Sequence, residues 1–143
     1  MASPSPERLS DARIQAFLAT REVVILGMVT PAGAPLVTAM WFLHDPDALT
    51  MISVADLAKV PAIQRNPRVV VLAETGTRDA DIRSVTVHGR ATFLPDTPER
   101  RALADRFIAK YDPHLEKYWG GRVMPANRVM FRIVPERIRS LGL

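Results

Sequence analysis

The feature that most constrains this chain is the shortness of the connections between its Val- and Ile-rich segments. Glu22 to Thr30 and Leu36 to His44 are joined by Pro31-Ala32-Gly33-Ala34-Pro35, and Asp45-Pro46-Asp47 leads straight into a third segment, Leu49 to Val54. The prolines restrict φ and Gly33 can take a positive φ, so these linkers are turns. A parallel pair would need a crossover of a dozen residues or more, which these turns do not contain. The first half of the chain is therefore expected to be an antiparallel meander.

The pattern resumes over Arg68 to Glu74, Arg83 to Leu94 and Arg128 to Val134. In the second of these, Val85, Val87, Gly89, Ala91 and Phe93 alternate with Ser84, Thr86, His88, Arg90 and Thr92, which predicts one apolar face and one wet or ligand-facing face. Helices are expected only at the periphery. Leu9 and Ile14 suit a hydrophobic staple around a helix capped by Ser10, with Ile14, Phe17 and Leu18 forming its apolar stripe. A short helix begins at Pro61 and stops at Asn66-Pro67. Thr97-Pro98 opens a longer one, carrying Leu103, Phe107 and Ile108 to Lys110 or Tyr111. Beyond Asp112-Pro113, a brief turn of helix gives way to a loop containing Gly120-Gly121 and Pro125.

This order predicts a mainly β chain with peripheral helices, its strands closing or nearly closing a barrel. Residues 1–9, with Pro4 and Pro6, read as a flexible leader, and residues 10–143 as a single domain. The length of 143 residues allows one core, so a large ligand is expected on the surface or between subunits. No apolar run approaches the length of a membrane span, and the reading is a cytoplasmic protein outside the membrane. The absence of cysteine removes disulfides and thiolate chemistry, and the three histidines lack metal-ligand spacing.

The formal charge is +4, from 19 basic and 15 acidic residues. The basic residues are dispersed and often sit beside acids, as in Glu99-Arg100-Arg101, so nucleic acid is an unlikely partner by charge patterning. Lysine occurs only at Lys59, Lys110 and Lys117. One of these falls in the most informative stretch: Ser53 ends a strand, and Lys59 and Arg65 flank the following short helix. A hydroxyl and a mobile cation so placed could cradle a phosphate, although the same residues also suit a strand-end cap and a solvated lysine. In the strand before it, Thr38, Met40 and Trp41 could border a flat ring, or Trp41 and Phe42 could simply fill core. Tyr111, Tyr118 and Trp119 cluster near the late loop, where they could cover a planar ligand or pack locally. His88 lies on the polar face of its strand.

Taken together, Leu26 to Val29 with Gly33-Ala34-Pro35, Val37 to Phe42, Ser53 with Lys59, Asn66-Pro67-Arg68, Val87-His88-Gly89-Arg90-Ala91 and Phe131 to Pro135 resemble the pyridoxamine 5'-phosphate oxidase-related split β-barrel family. The resemblance runs from Leu18 through Leu141. It implies a split barrel of about six or seven antiparallel strands and a homodimer with two cofactor clefts between subunits. It further implies Thr38, Met40 and Trp41 beside a flavin-like ring and Ser53 and Lys59 beside its phosphate. The deazaflavin branch often places a second basic residue just before the lysine, where this chain has Leu57 and Ala58, and Arg65 is the candidate substitute. Among cofactors it points first to the 5-deazaflavin coenzyme F420, with hydride transfer to a small organic acceptor. FMN is the alternative cofactor, and a noncatalytic binding or carrier protein the alternative function. It assigns no catalytic side chain.

Overall fold

The computed structural model describes residues 6–143. Helix α1 (Ala12–Ala19) precedes the hairpin of β1 (Val23–Val29) and β2 (Pro35–Trp41). Next come β3 (Leu43–His44), β4 (Leu49–Val54), α2 (Lys59–Arg65), β5 (Arg68–Thr75) and β6 (Arg83–Phe93). Helices α3 (Pro98–Tyr111) and α4 (His114–Trp119) lead to the last strand, β7 (Arg128–Leu141). All strand pairs are antiparallel, in a seven-stranded sheet of order β2-β1-β5-β6-β7-β4-β3. The mainly β class and the antiparallel split-barrel reading are thus observed.

The two ends of that order are neighbours in sequence. Only Phe42 separates β2 from β3, so the sheet must curl until its edges meet, and Phe42 at the joint is fully buried. This departs from the single strand expected over Leu36 to His44. One continuous strand cannot belong to both edges of a sheet, and the chain changes partner at Phe42.

Inside the curl, Leu26, Met28, Met40, Met51, Val71, Val85, Val87, Phe131 and Ile133 form the main core, into which α1 inserts Ile14, Phe17 and Leu18. A second cluster lies on the other side of β7. Met130 and Phe131 are adjacent and both fully buried because strand alternation sends them to opposite faces, Phe131 into the barrel and Met130 toward Leu103, Phe107, Ile108 and Leu115 of α3 and α4.

Local signals shift by a residue or two. The N-cap of α1 is Asp11 rather than Ser10, and its carboxylate accepts the Arg8 N–H at 2.9 Å. Leu9 and Ile14 are nevertheless buried in one cluster. Helix α2 starts at Lys59, ahead of Pro61. The Thr97 hydroxyl caps α3 as expected, accepting the Arg100 N–H at 3.3 Å. Part of the stretch read as a leader, residues 1–5, lies outside the described residues. Of the remainder, Glu7 accepts the Ser140 backbone N–H at 2.7 Å and Leu9 is buried. No described helix is long and apolar enough to cross a membrane.

Strand β7 runs past the expected end at Val134 to Leu141, and its register with β6 slips between His88 and Gly89. His88 pairs with Arg137 and Gly89 with Pro135, leaving Glu136 extra, as in a β-bulge. Gly89 is required there, because a Cβ would collide with the Val134 carbonyl and meet Ile133 Cγ2 at 3.0 Å. Gly89→Ala should therefore cost about 1–3 kcal/mol through overpacking, read as a lower urea midpoint at unchanged slope. An unchanged midpoint would refute the close approach.

Candidate functional site

The seam of the barrel leaves backbone free. Strand β2 pairs only with β1, and β3 covers only Leu49 and Thr50 of β4, so Met51–Val54 has no ladder on the edge that faces the seam. Between these edges opens a cleft of about 360 Å³, near the lower end of the roughly 300–1,000 Å³ usual for ligand sites.

One wall is the end of β2. Met40 turns into the barrel, and Trp41, on the opposite face, stacks on Tyr111 of α3 with ring centroids 4.4 Å apart and planes 8° from parallel. Helix α3 also holds the joint itself. The Tyr111 hydroxyl accepts the Phe42 N–H at 2.9 Å and lies 2.7 Å from the Glu22 carbonyl, to which it donates. The Lys110 ammonium donates to the Phe42 carbonyl at 2.7 Å and sits 3.8 Å from the centre of the Phe42 ring, a cation–π geometry. Burial pushes the Tyr111 hydroxyl up to about 12 and the Lys110 ammonium down to about 8, the latter opposed by the nearby Glu22 carboxylate.

The facing wall is polar. Ser53, buried near the end of β4, donates its hydroxyl to the Val54 carbonyl at 3.0 Å. Lys59, the first residue of α2, places its Nζ 3.4 Å from the Met40 sulfur, a weak acceptor, and burial holds its pKa below the ordinary lysine value. Arg128 opens β7 opposite Val54, with its guanidinium 2.6 Å from the Asn127 side-chain oxygen. Neither Lys59 nor Arg128 forms an ion pair among the described residues. No Asp, Glu or His lines the cleft. Two cations that are unpaired among the described residues line the cleft with no carboxylate beside them, and the Ser53 hydroxyl could join them as a donor by turning from the Val54 carbonyl; such a lining suits an anion such as a phosphate.

Of the residues singled out from sequence, Met40, Trp41, Ser53 and Lys59 line this cleft, as do Tyr118 and Trp119 of α4. Thr38 shares the inward side of β2 with Met40 but stands outside the lining. Arg65 is exposed at the far end of α2, six residues from Lys59 and therefore about 9 Å along the helix axis. His88 contacts Arg137 at 3.3 Å on the outer face of the sheet, away from the cleft. Sequence reasoning missed Arg128. Its only signal was its position at the start of the last strand, and the register that sets it beside Val54 is not a local property.

A second surface feature lies on the outside of β1, β2 and β5. Val23, Ile25, Val37 and Leu72 are exposed there, beside a shallow apolar depression lined by Gly27, Val29, Pro35, Val37 and Val70. No group of three or more potential metal ligands occurs among the described residues.

Residues 10–142 match the sequence family described as pyridoxamine 5'-phosphate oxidase. Among solved structures, the chain is similar to the conserved hypothetical protein Rv2991 of Mycobacterium tuberculosis, with 26% identity and a TM-score of 0.77, covering 98% of this chain and 89% of that one. A FAD-binding protein of Mesorhizobium loti is 23% identical at a TM-score of 0.72, covering 90% and 89%. The heme storage protein HutZ of Vibrio cholerae is 17% identical at a TM-score of 0.78, covering 96% and 97%. The last two establish likeness of fold alone. No curated protein matches the chain.

Two outcomes follow from the α3 contacts. Tyr111→Phe keeps the stack but strips a partner from the Phe42 N–H, and should lower unfolding stability by about 1–3 kcal/mol, measured in urea; no loss would show that the hydroxyl does not hold the joint. Lys110 titrates lower in the folded chain than in the unfolded one, so between about pH 8 and 10 the unfolded state binds the extra proton and stability rises with pH. Above that window the raised Tyr111 begins to oppose it. Lys110→Met should flatten the rise, and an identical pH profile in the variant would exclude Lys110 as its source.

Proposed function

The chain belongs to the pyridoxamine 5'-phosphate oxidase family, and on that footing we propose that it is a dimeric FMN-dependent oxidoreductase whose cofactor lies in the seam cleft. The observation that carries this reading is that Ser53, Lys59 and Arg128 all line one cleft whose lining holds no carboxylate. Lys59 and Arg128 neutralise the phosphate, and the Ser53 hydroxyl adds a donor once it turns from the Val54 carbonyl. The ring lies along the unpaired edge of β2 beside Met40 and Trp41, where Trp41 is kept in place by Tyr111. Bound FMN supplies hydride transfer; the protein supplies position, charge balance and exclusion of water.

FMN ranks here above coenzyme F420, which the family resemblance put first. One lysine, one arginine and one hydroxyl match a single phosphate, whereas the longer acidic tail of F420 calls for further cations, and Arg65 does not line the cleft. A noncatalytic carrier is the second reading. It is favoured by the lack of any Asp, Glu or His in the lining, which leaves proton delivery to water or to the acceptor itself. Dimerisation is part of the proposal because one protomer offers an open half-cleft, and because the exposed Val23, Ile25, Val37 and Leu72 give a second copy an apolar face to cover.

Titration of the purified protein with FMN and with oxidised F420, followed by absorbance and fluorescence, tests this directly. FMN should bind one per chain and more tightly than F420. Lys59→Ala should weaken FMN binding by about 10- to 100-fold, the worth of a charged hydrogen bond, with little change in Tm, since Lys59 is only half-buried. Failure to bind FMN, or equal affinity in the variant, would remove the reading. Stoichiometric binding without turnover on chemically distinct acceptors would select the carrier.

A further inference from the structure

Among the described residues, Lys59 makes one side-chain hydrogen bond, and its acceptor is a sulfur. The ammonium lies 3.4 Å from the Met40 thioether, which accepts only weakly, and no carboxylate pairs with it. This is also the only hydrogen bond to sulfur among the described residues. Of Met28, Met40, Met51, Met124 and Met130, Met40 alone lines the cleft. Its side chain is 5% exposed, so a reagent that reaches the sulfur must be small. The contact joins β2 to the first residue of α2, and Lys59 is the one lysine in the lining. Whatever changes the acceptor strength of that sulfur therefore changes how freely the cation can serve a phosphate.

We infer that Met40 is an oxidation site whose sulfoxide captures Lys59 and so switches off phosphate binding in the cleft. The inference rests on the flavin reading for the phosphate being that of FMN. The oxidant is hydrogen peroxide, small enough to enter where water does. A sulfur lone pair attacks one peroxide oxygen, the O–O bond breaks, and an S–O bond forms. The departing oxygen takes the proton of the transferred one and leaves as water, so sulfur loses two electrons and the peroxide gains them. The product places a strongly polar oxygen on the atom that already faces the ammonium. A hydrogen bond from a cation to such an oxygen is far stronger than one to a thioether. A phosphate must then compete for Lys59, and Arg128 is left as the one uncommitted cation of the lining.

The experiment treats the cofactor-free protein with hydrogen peroxide, maps the oxidised residues by peptide mass spectrometry and then titrates FMN. Met40 should be oxidised ahead of the core residues Met28, Met51 and Met130, and FMN should bind about three- to thirtyfold more weakly after treatment. In Met40→Leu and in Lys59→Ala, treated and untreated protein should differ by less than about twofold, because one lacks the sulfur and the other the cation. A second readout needs no cofactor: acetylation of Lys59 by trace acetic anhydride should slow by about threefold or more once Met40 is oxidised, since the new acceptor favours the charged form. A resistant Met40, an equal loss of FMN affinity in treated Lys59→Ala, unchanged acetylation, or loss of the urea transition on treatment overturns the switch. Absence of FMN binding in the untreated parent instead overturns the cofactor reading, and the oxidation map and acetylation rate then decide the capture of Lys59 on their own.

Discussion

The grip of α3 on Phe42 is the constraint on which the rest of this structure depends. A curled sheet of this order has two edges that come together without pairing, and here the chain crosses between them in a single residue. An unpaired backbone at such a joint would be costly in a buried position. Tyr111 takes the Phe42 N–H and Lys110 takes its carbonyl, so both groups are satisfied by side chains of one helix. The seam is held closed at the joint and remains open beyond it.

That arrangement couples stability to the site. Tyr111 is at once the hydrogen-bond partner of the joint and the ring against which Trp41 lies. The same helix reaches the cleft directly through Phe107. The wall on the β2 side is therefore set by packing in the second core cluster, and the cationic wall by the β4–β7 register and the start of α2. Apart from Leu57, in the turn between β4 and α2, the lining residues stand on strands and helices. A site built on strands and helix ends holds its geometry with little ordering on binding, which favours recognition of a rigid ring.

Much of the fold was legible in the residues. Turns such as Pro31 to Pro35 admit only hairpins, the alternation from Val85 to Phe93 announces a half-buried strand, and Thr97-Pro98 marks a helix start; each is a local steric or hydrogen-bonding preference. Ser53 and Lys59 were legible as a pair because they lie six residues apart around a strand end. Arg128 was not, being 69 residues beyond Lys59 and brought there by the pairing of β4 with β7. Arg65 looked equivalent to Lys59 in sequence, but the two stand at opposite ends of α2.

What the sequence determined alone is the place of most strands, the antiparallel sense of the early hairpin and the chemistry available to bind an anion, because turn residues, alternation and side-chain type act over a few positions. The tertiary structure decided where the strand through Phe42 breaks, how β7 bulges around Gly89, and which cations line one cleft. Those outcomes depend on which distant edges meet when the sheet curls, and closure is a property of the whole ladder that no short stretch of residues encodes.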